Sequence, residues 1–135
     1  MPERDLQALL STLTIERRPG AFCFVDLDDV PPGVVVQATV VESEGTSAVV
    51  DKDSLSSSTD PPEFVAAWLT VAAQSALDAV GLTAALAGAL AQAGIPCNVL
   101  AGRHHDHLLV PEIKAQRAID VLGRLRNGDA HPDGR

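Results

Sequence analysis

LDAVGLTAALAGALAQAGIPCNVLAGRHHDHLLVPEIKAQRAIDVLGRL, residues 77–125, changes its pattern four times within one short run. Leu82, Leu86 and Leu90 recur every four residues with Ala85 and Ala89 alongside, which predicts a helix from Gly81-Leu82 to about Ala93. Gly94 ends it, because glycine takes the left-handed conformation that closes a helix. Cys97 to Ala101 and His107 to Pro111 then read as two strands paired around a turn, Gly102 to Asp106. Ala115, Ala118, Val121, Leu122 and Leu125 form a second helical stripe, with Lys114, Arg117, Asp120 and Arg124 placed toward water. The first helix has no charged face: Ala84, Ala87, Gly88 and Ala91 oppose its leucines, so it is expected to be covered on more than one side.

Working outward, Phe64 to Ala73 reads as a strand and Gln74 to Val80 as the loop leading into the helix. Residues 61–128 are thus β-α-β-β-α, one strand short of the ferredoxin-like plan. The uncovered sheet edge is a liability, and a strand from the first half or from a second chain is expected to cover it. The first half offers a short helix, Arg4 to Leu10, and then a short strand, Leu13 to Ile15, ended by Arg17-Arg18-Pro19-Gly20. A strand follows over Ala21 to Leu27, a turn at Asp28 to Gly33, and a β-branched strand over Val34 to Val41. Thr46 to Val50 returns after a turn at Glu44-Gly45. Ser54 to Pro62 is linker chemistry, small and polar and closed by two prolines. The expected organisation is an α+β chain of two halves, residues 1–60 and 61–128, that share a sheet and core, with a polar tail at 129–135.

Composition narrows the function. The chain of 135 residues is 46% hydrophobic and carries a formal charge of −8, with 3% aromatic residues. Residues 1–60 hold 4 Lys/Arg against 11 Asp/Glu, and residues 61–135 hold 6 against 7. An acidic chain poor in aromatics lacks the basic footprint and stacking surface that nucleic acid requires. Ala79 to Gly102 is uncharged, but its apolar content is mostly alanine and it is broken by Gly81, Gly88, Gly94 and Pro96, so no membrane span is expected. Met1-Pro2-Glu3-Arg4-Asp5 leads into no apolar run, so export is not expected, and Cys23 and Cys97 read as small core residues in a cytoplasmic protein.

Ser75 to Ala85 (SALDAVGLTAA), Ala93-Gly94-Ile95, Cys97-Asn98-Val99 and His104 to Pro111 (HHDHLLVP) together resemble the small bacterial tandem ACT proteins. These are stand-alone chains of two ACT-like halves, similar to the regulatory domains of aspartate kinases. Arg18-Pro19-Gly20-Ala21-Phe22 and Glu44-Gly45-Thr46-Ser47 resemble that family's first half. The resemblance implies a ferredoxin-like tandem repeat with antiparallel sheets and helices on one face. It also implies a non-catalytic regulatory role, an amino acid as ligand, and pairing into homodimers. The chain departs from the family pattern at Gln74-Ser75-Ala76, where His-Ser-Ser is usual, and at Asp78, where Glu is usual.

The binding residues so implied are Ser75, Asp78, Val80, Gly81, Leu82 and Thr83. The chemistry is suitable, since a helix N-terminus presents N–H groups and a partial positive charge to a carboxylate. Gly81 lets the backbone approach a ligand, and Asp78 can take an ammonium. The plainer alternative is that Asp78 and Thr83 only cap the helix. His104, His105, Asp106 and His107 offer zinc-ligand chemistry. Adjacent residues of an extended segment point to opposite sides, however, and no second ligand cluster exists, so neither metal nor cofactor is expected. No phosphate loop or nucleophile elbow is present. An assembly module without ligand and, behind it, a small metal-dependent enzyme using the His run stand as alternatives.

Overall fold

In a computed structural model, which describes residues 6–55, 62–73 and 81–128, both halves build one six-stranded antiparallel sheet. The elements in chain order are α1 (Leu6–Ser11), β1 (Thr14–Asp26), β2 (Val36–Glu42), β3 (Gly45–Asp51), β4 (Ala66–Ala72), α2 (Leu82–Gln92), β5 (Asn98–Ala101), β6 (Asp106–Pro111) and α3 (Ala115–Arg126). Across the sheet the order is β2-β3-β1-β4-β6-β5. The expected boundary near residue 60, the loop Gln74 to Val80 and the tail at 129–135 lie outside the described residues.

The joint between the halves is β1. Its first part, Thr14 to Arg18, pairs with Ala72 to Trp68 of β4, while Phe22 to Asp26 pairs with Asp51 to Ser47 of β3. The place left vacant in the ferredoxin-like plan, beside β4, is therefore filled by the first half of the same chain. Sequence patterning put two short strands here, separated by Arg17-Arg18-Pro19-Gly20. The chain instead runs through as one strand of 13 residues. The register jumps between Arg18 and Phe22, which is a bulge, where a proline without an N–H does no harm. Gly20 adopts φ +96°, and a Cβ there would meet Asp51 Oδ2 at 3.0 Å, so glycine is needed both for the turn and for the approach.

The second half follows its periodicities. In β4, Ala67, Leu69 and Val71 face the helices and join Leu108 and Val110 of β6, Leu86 and Leu90 of α2, and Leu122 of α3 in the larger core. α2 closes in a Schellman motif: Gly94, at φ +74°, donates to Ala91 O (3.0 Å), Ile95 donates to Leu90 O (2.9 Å), and the Ile95 side chain is buried. α3 buries Ala115, Ala118, Val121, Leu122 and Leu125. Lys114 and Arg124, expected in water, are half-buried: Lys114 Nζ donates to Gly94 O (3.1 Å), tying α3 to the end of α2, and Arg124 NH1 is buried with no hydrogen-bond partner among the described residues. α1 stops after two turns' worth of leucines because Ser11 and Thr12 hydroxyls bond back to Ala8 O and Leu9 O.

Exposure departs from composition in two places. Val34 to Val41 is a strand over most of its length, but an edge one, with Val40 and Val41 exposed; its branched side chains reflect strand propensity rather than core packing. The small face of α2 is not covered by the first half: Ala84, Gly88 and Ala91 are exposed. Cys23 is buried, Cys97 half-buried, and both thiols are free. Among the described residues no helix is long and apolar enough to cross a membrane.

Candidate functional site

The N-terminus of α2 holds three of the six residues expected to bind ligand. Gly81 is the N-cap in the left-handed conformation (φ 98°, ψ −13°), a geometry open to glycine at no steric cost. Its carbonyl accepts from Ala85 N (2.9 Å), so the helix starts there, with no side-chain cap bond from the N-cap residue. Leu82 is buried and belongs to the core, which leaves its backbone N–H as its means of contact with a ligand, and Thr83 is exposed. Leu6 of α1 flanks the turn, 3.7 Å from where a Gly81 Cβ would sit. Ser75, Asp78 and Val80 lie outside the described residues.

A second constellation lies on the helix-free face of the sheet, and sequence reasoning did not find it. Alternation in β4 and β6 puts Trp68, Thr70, His107 and Leu109 on that face. Trp68 is buried edge-on against Phe22, with ring centroids 5.4 Å apart, and its Nε1–H donates to His107 Nδ1 at 3.1 Å. Thr70 Oγ1 lies 3.1 Å from the same nitrogen. An indole N–H can only donate, so Nδ1 is the acceptor and the neutral ring carries its proton on Nε2. Burial, then the Arg18 guanidinium and His105, hold the His107 pKa below its ordinary value, with Asp106 opposing them. The Arg18 guanidinium sits over the indole face, Cζ 3.9 Å from the ring centroid, and its NH1 donates to Gln37 Oε1 at 3.1 Å.

Arg18, Trp68 and His107 floor a cavity of about 410 Å³ whose walls are Gln37 to Val40 of β2 and Val99 to Ala101 of β5. β2 and β5 are opposite ends of the sheet order, so the sheet curls until both margins line one hollow. The bulge between Val36 and Ala38 accompanies Gln37's contact with Arg18. Gly102 keeps the His107 ring clear, since a Cβ there would stand 3.3 Å from Nε2 and 3.0 Å from His105 O.

The His run does not gather. The His104 and His105 ring centroids are 6.5 Å apart and those of His105 and His107 6.2 Å apart. Among the described residues no group of three or more His, Cys, Asp or Glu side chains is placed to hold a metal ion.

Two family models match in tandem, both described as ACT domain, one over residues 1–67 and the other over residues 63–124. A Vibrio cholerae protein of unknown function, described as a possible transport protein, is 34% identical; the match covers 90% of this chain and 95% of that one, with a TM-score of 0.79. An Agrobacterium tumefaciens protein shares the fold at 18% identity and a TM-score of 0.60, over 84% of this chain and 89% of its own. The aspartate kinase of Clostridium acetobutylicum shares it at 10% identity and a TM-score of 0.59, where 84% of this chain matches 34% of the kinase. No curated protein matches the sequence.

Proposed function

The chain belongs to the ACT-domain family as a small tandem ACT protein, and on that premise we propose that it is a non-catalytic regulatory protein that binds a free amino acid. The binding site is the turn into α2, from Ser75 through Thr83. The observation that carries this reading is the left-handed Gly81 at the N-cap, which puts bare backbone rather than a capping side chain at the start of an 11-residue helix. In this reading the first-turn N–H groups take the carboxylate, Asp78 takes the ammonium and Ser75 adds a neutral hydrogen bond. The two halves, 1–60 and 61–128, act as the paired units of one module. Free Cys23 and Cys97 suit the reducing cytoplasm.

Homodimerisation is part of the proposal. The exposed small residues Ala84, Gly88 and Ala91 on α2 permit close helix packing by a second copy. They also favour the second reading, an assembly module that keeps the fold and binds no small molecule.

A thermal-shift screen of the twenty amino acids at millimolar concentration separates the two readings. A ligand at a hundred times its dissociation constant adds about 2.7 kcal/mol of stability. Asp78→Ala is expected to weaken binding about ten- to a hundredfold, the worth of a charged hydrogen bond. If no amino acid shifts the melting temperature, the assembly reading replaces the sensor. If one does and Asp78→Ala binds it equally well, the ligand sits elsewhere.

A further inference from the structure

We propose that the hollow on the helix-free face is a separate binding site for a small amphipathic monocarboxylate, whose anionic end is held by Arg18 and by Nε2–H of His107. Charge is the first argument. The chain carries a net charge of −8, yet the partners of Arg18 among the described residues are Gln37 and the face of Trp68, neither of them a carboxylate. The indole beneath it and the bond it donates to Gln37 hold the guanidinium in place and leave its other N–H donors for a ligand. Glu16 shares this face, its backbone paired with Thr70, but does not line the hollow.

Pre-organisation is the second argument. Trp68 and Thr70 both address Nδ1 of His107, which settles the tautomer and makes Nε2–H a donor. Gly102, lacking a Cβ, leaves that donor unobstructed. Two donors from different strands, each locked by a neighbour, form a clamp whose ordering cost is met before a ligand arrives.

Shape gives the ligand class. A volume of about 410 Å³ lies within the range for compact organic ligands. Val40 and Leu100 line it with aliphatic surface, Leu100 standing beside His107 across the β5–β6 pair. One permanent cation matches a single negative charge, and the aliphatic walls match a branched or aromatic body. The residues used here are separate in the chain from the turn at Ser75 to Thr83, so this site is independent of the amino-acid site proposed above.

Trp68 is the sole tryptophan and the chain has no tyrosine, so fluorescence excited above 290 nm reports on the floor of the hollow alone. The full chain is titrated with 3-methylbutanoate and phenylacetate, and with the corresponding amides at matched ionic strength. The expected result is a saturable change with the acids and none with the amides. Arg18→Gln is expected to weaken acid binding at least tenfold, while Asp78→Ala leaves it unchanged. Circular dichroism checks that Arg18→Gln remains folded. If it does not, Gly102→Ala, which sets a methyl group against Nε2, is expected to produce the same loss. The proposal is overturned if neither acid gives a saturable change, if an amide binds as well as its acid, or if the folded variant retains wild-type affinity.

Discussion

Residues 14–18 of β1 are the part of the first half that completes the sheet of the second, so a lesion confined to them tests whether the halves are one cooperative unit. Glu16 and Arg17 suit this purpose because both side chains are exposed, and substitution there alters backbone bonding more than packing. N–H groups along a strand alternate sides, so one of the two donates into the ladder with β4 opposite Thr70 and Leu69. Proline at that position removes the bond and leaves a carbonyl of the central strand β4 unsatisfied, at about 1–3 kcal/mol. The ring's clash brings the total to about 3–4 kcal/mol, comparable with an interior helical proline. Proline at the other position costs about 1 kcal/mol or less, since its N–H is outside that ladder. For a chain of this size the larger loss lowers the melting temperature by about 10–15 °C. Urea denaturation followed by Trp68 fluorescence measures the difference, and residue-resolved hydrogen exchange shows where protection is lost. A shared unit loses protection in β2–β3 and β4–β6 together. If both prolines cost under about 1 kcal/mol, or if β2 and β3 keep their protection while β4 and β6 lose theirs, the reasoning from β1 is wrong.

Leu90, fully buried under α2, is expected to cost about 3–5 kcal/mol as Leu90→Ala, read as a lower urea midpoint at unchanged slope, whereas Ala91→Ser on the exposed side stays within about 0.5 kcal/mol. His107 has a folded-state pKa below its ordinary value, so its contribution to stability is present above the unfolded value of about 6.5 and is lost as the pH falls below it. The groups around it are Arg18 and Glu16 on β1 and His105 and Asp106 beside it in the chain. His107→Gln should therefore flatten part of the fall in melting temperature between pH 7.5 and 5.5, and an unchanged slope would remove His107 from that role. Long-range nitrogen–proton correlation spectra should show the Nε2–H tautomer of His107, and an Nδ1–H pattern would contradict the Trp68 bond.

Helical periodicity carried the second half almost unaided. The five apolar residues read off α3 are the five it buries, and the stop at Gly94 is a Schellman closure. The rest depended on facts that periodicity does not encode. Arg17-Arg18-Pro19-Gly20 has the residues of a chain break, and only the pairing partners on either side reveal a bulge within one strand. Val34 to Val41 has the composition of a core strand, but position in the sheet order, not propensity, decides burial. Of the expected binding residues, Gly81 was legible because a glycine before a leucine-periodic run is a mark of backbone geometry, and it takes the left-handed conformation. The Arg18–Trp68–His107 cluster was not, since its members lie in three different strands and meet through register and sheet curl. The one available signal was alternation within AAWLTVA and DHLLVP, which sets Trp68, Thr70, His107 and Leu109 on a common face once the two strands are known to pair.

The shared strand also sets a timetable for synthesis. Thr14 bonds to Ala72, 58 residues further on, and Arg126 near the end of α3 donates to Leu13 O, 113 residues away. At translation rates of about 5–20 residues per second, the first part of β1 waits roughly 3–12 s for β4 to be made. Throughout that interval Leu9, Leu10 and Leu13, all buried in the finished fold, have no core to enter, and Thr14 to Arg18 present an unpaired strand edge to the surrounding solution. Residues 6–18 are thus open to misassociation until β4 is made, and a ribosome-associated chaperone that recognises leucine-rich segments would find its target within residues 6–13.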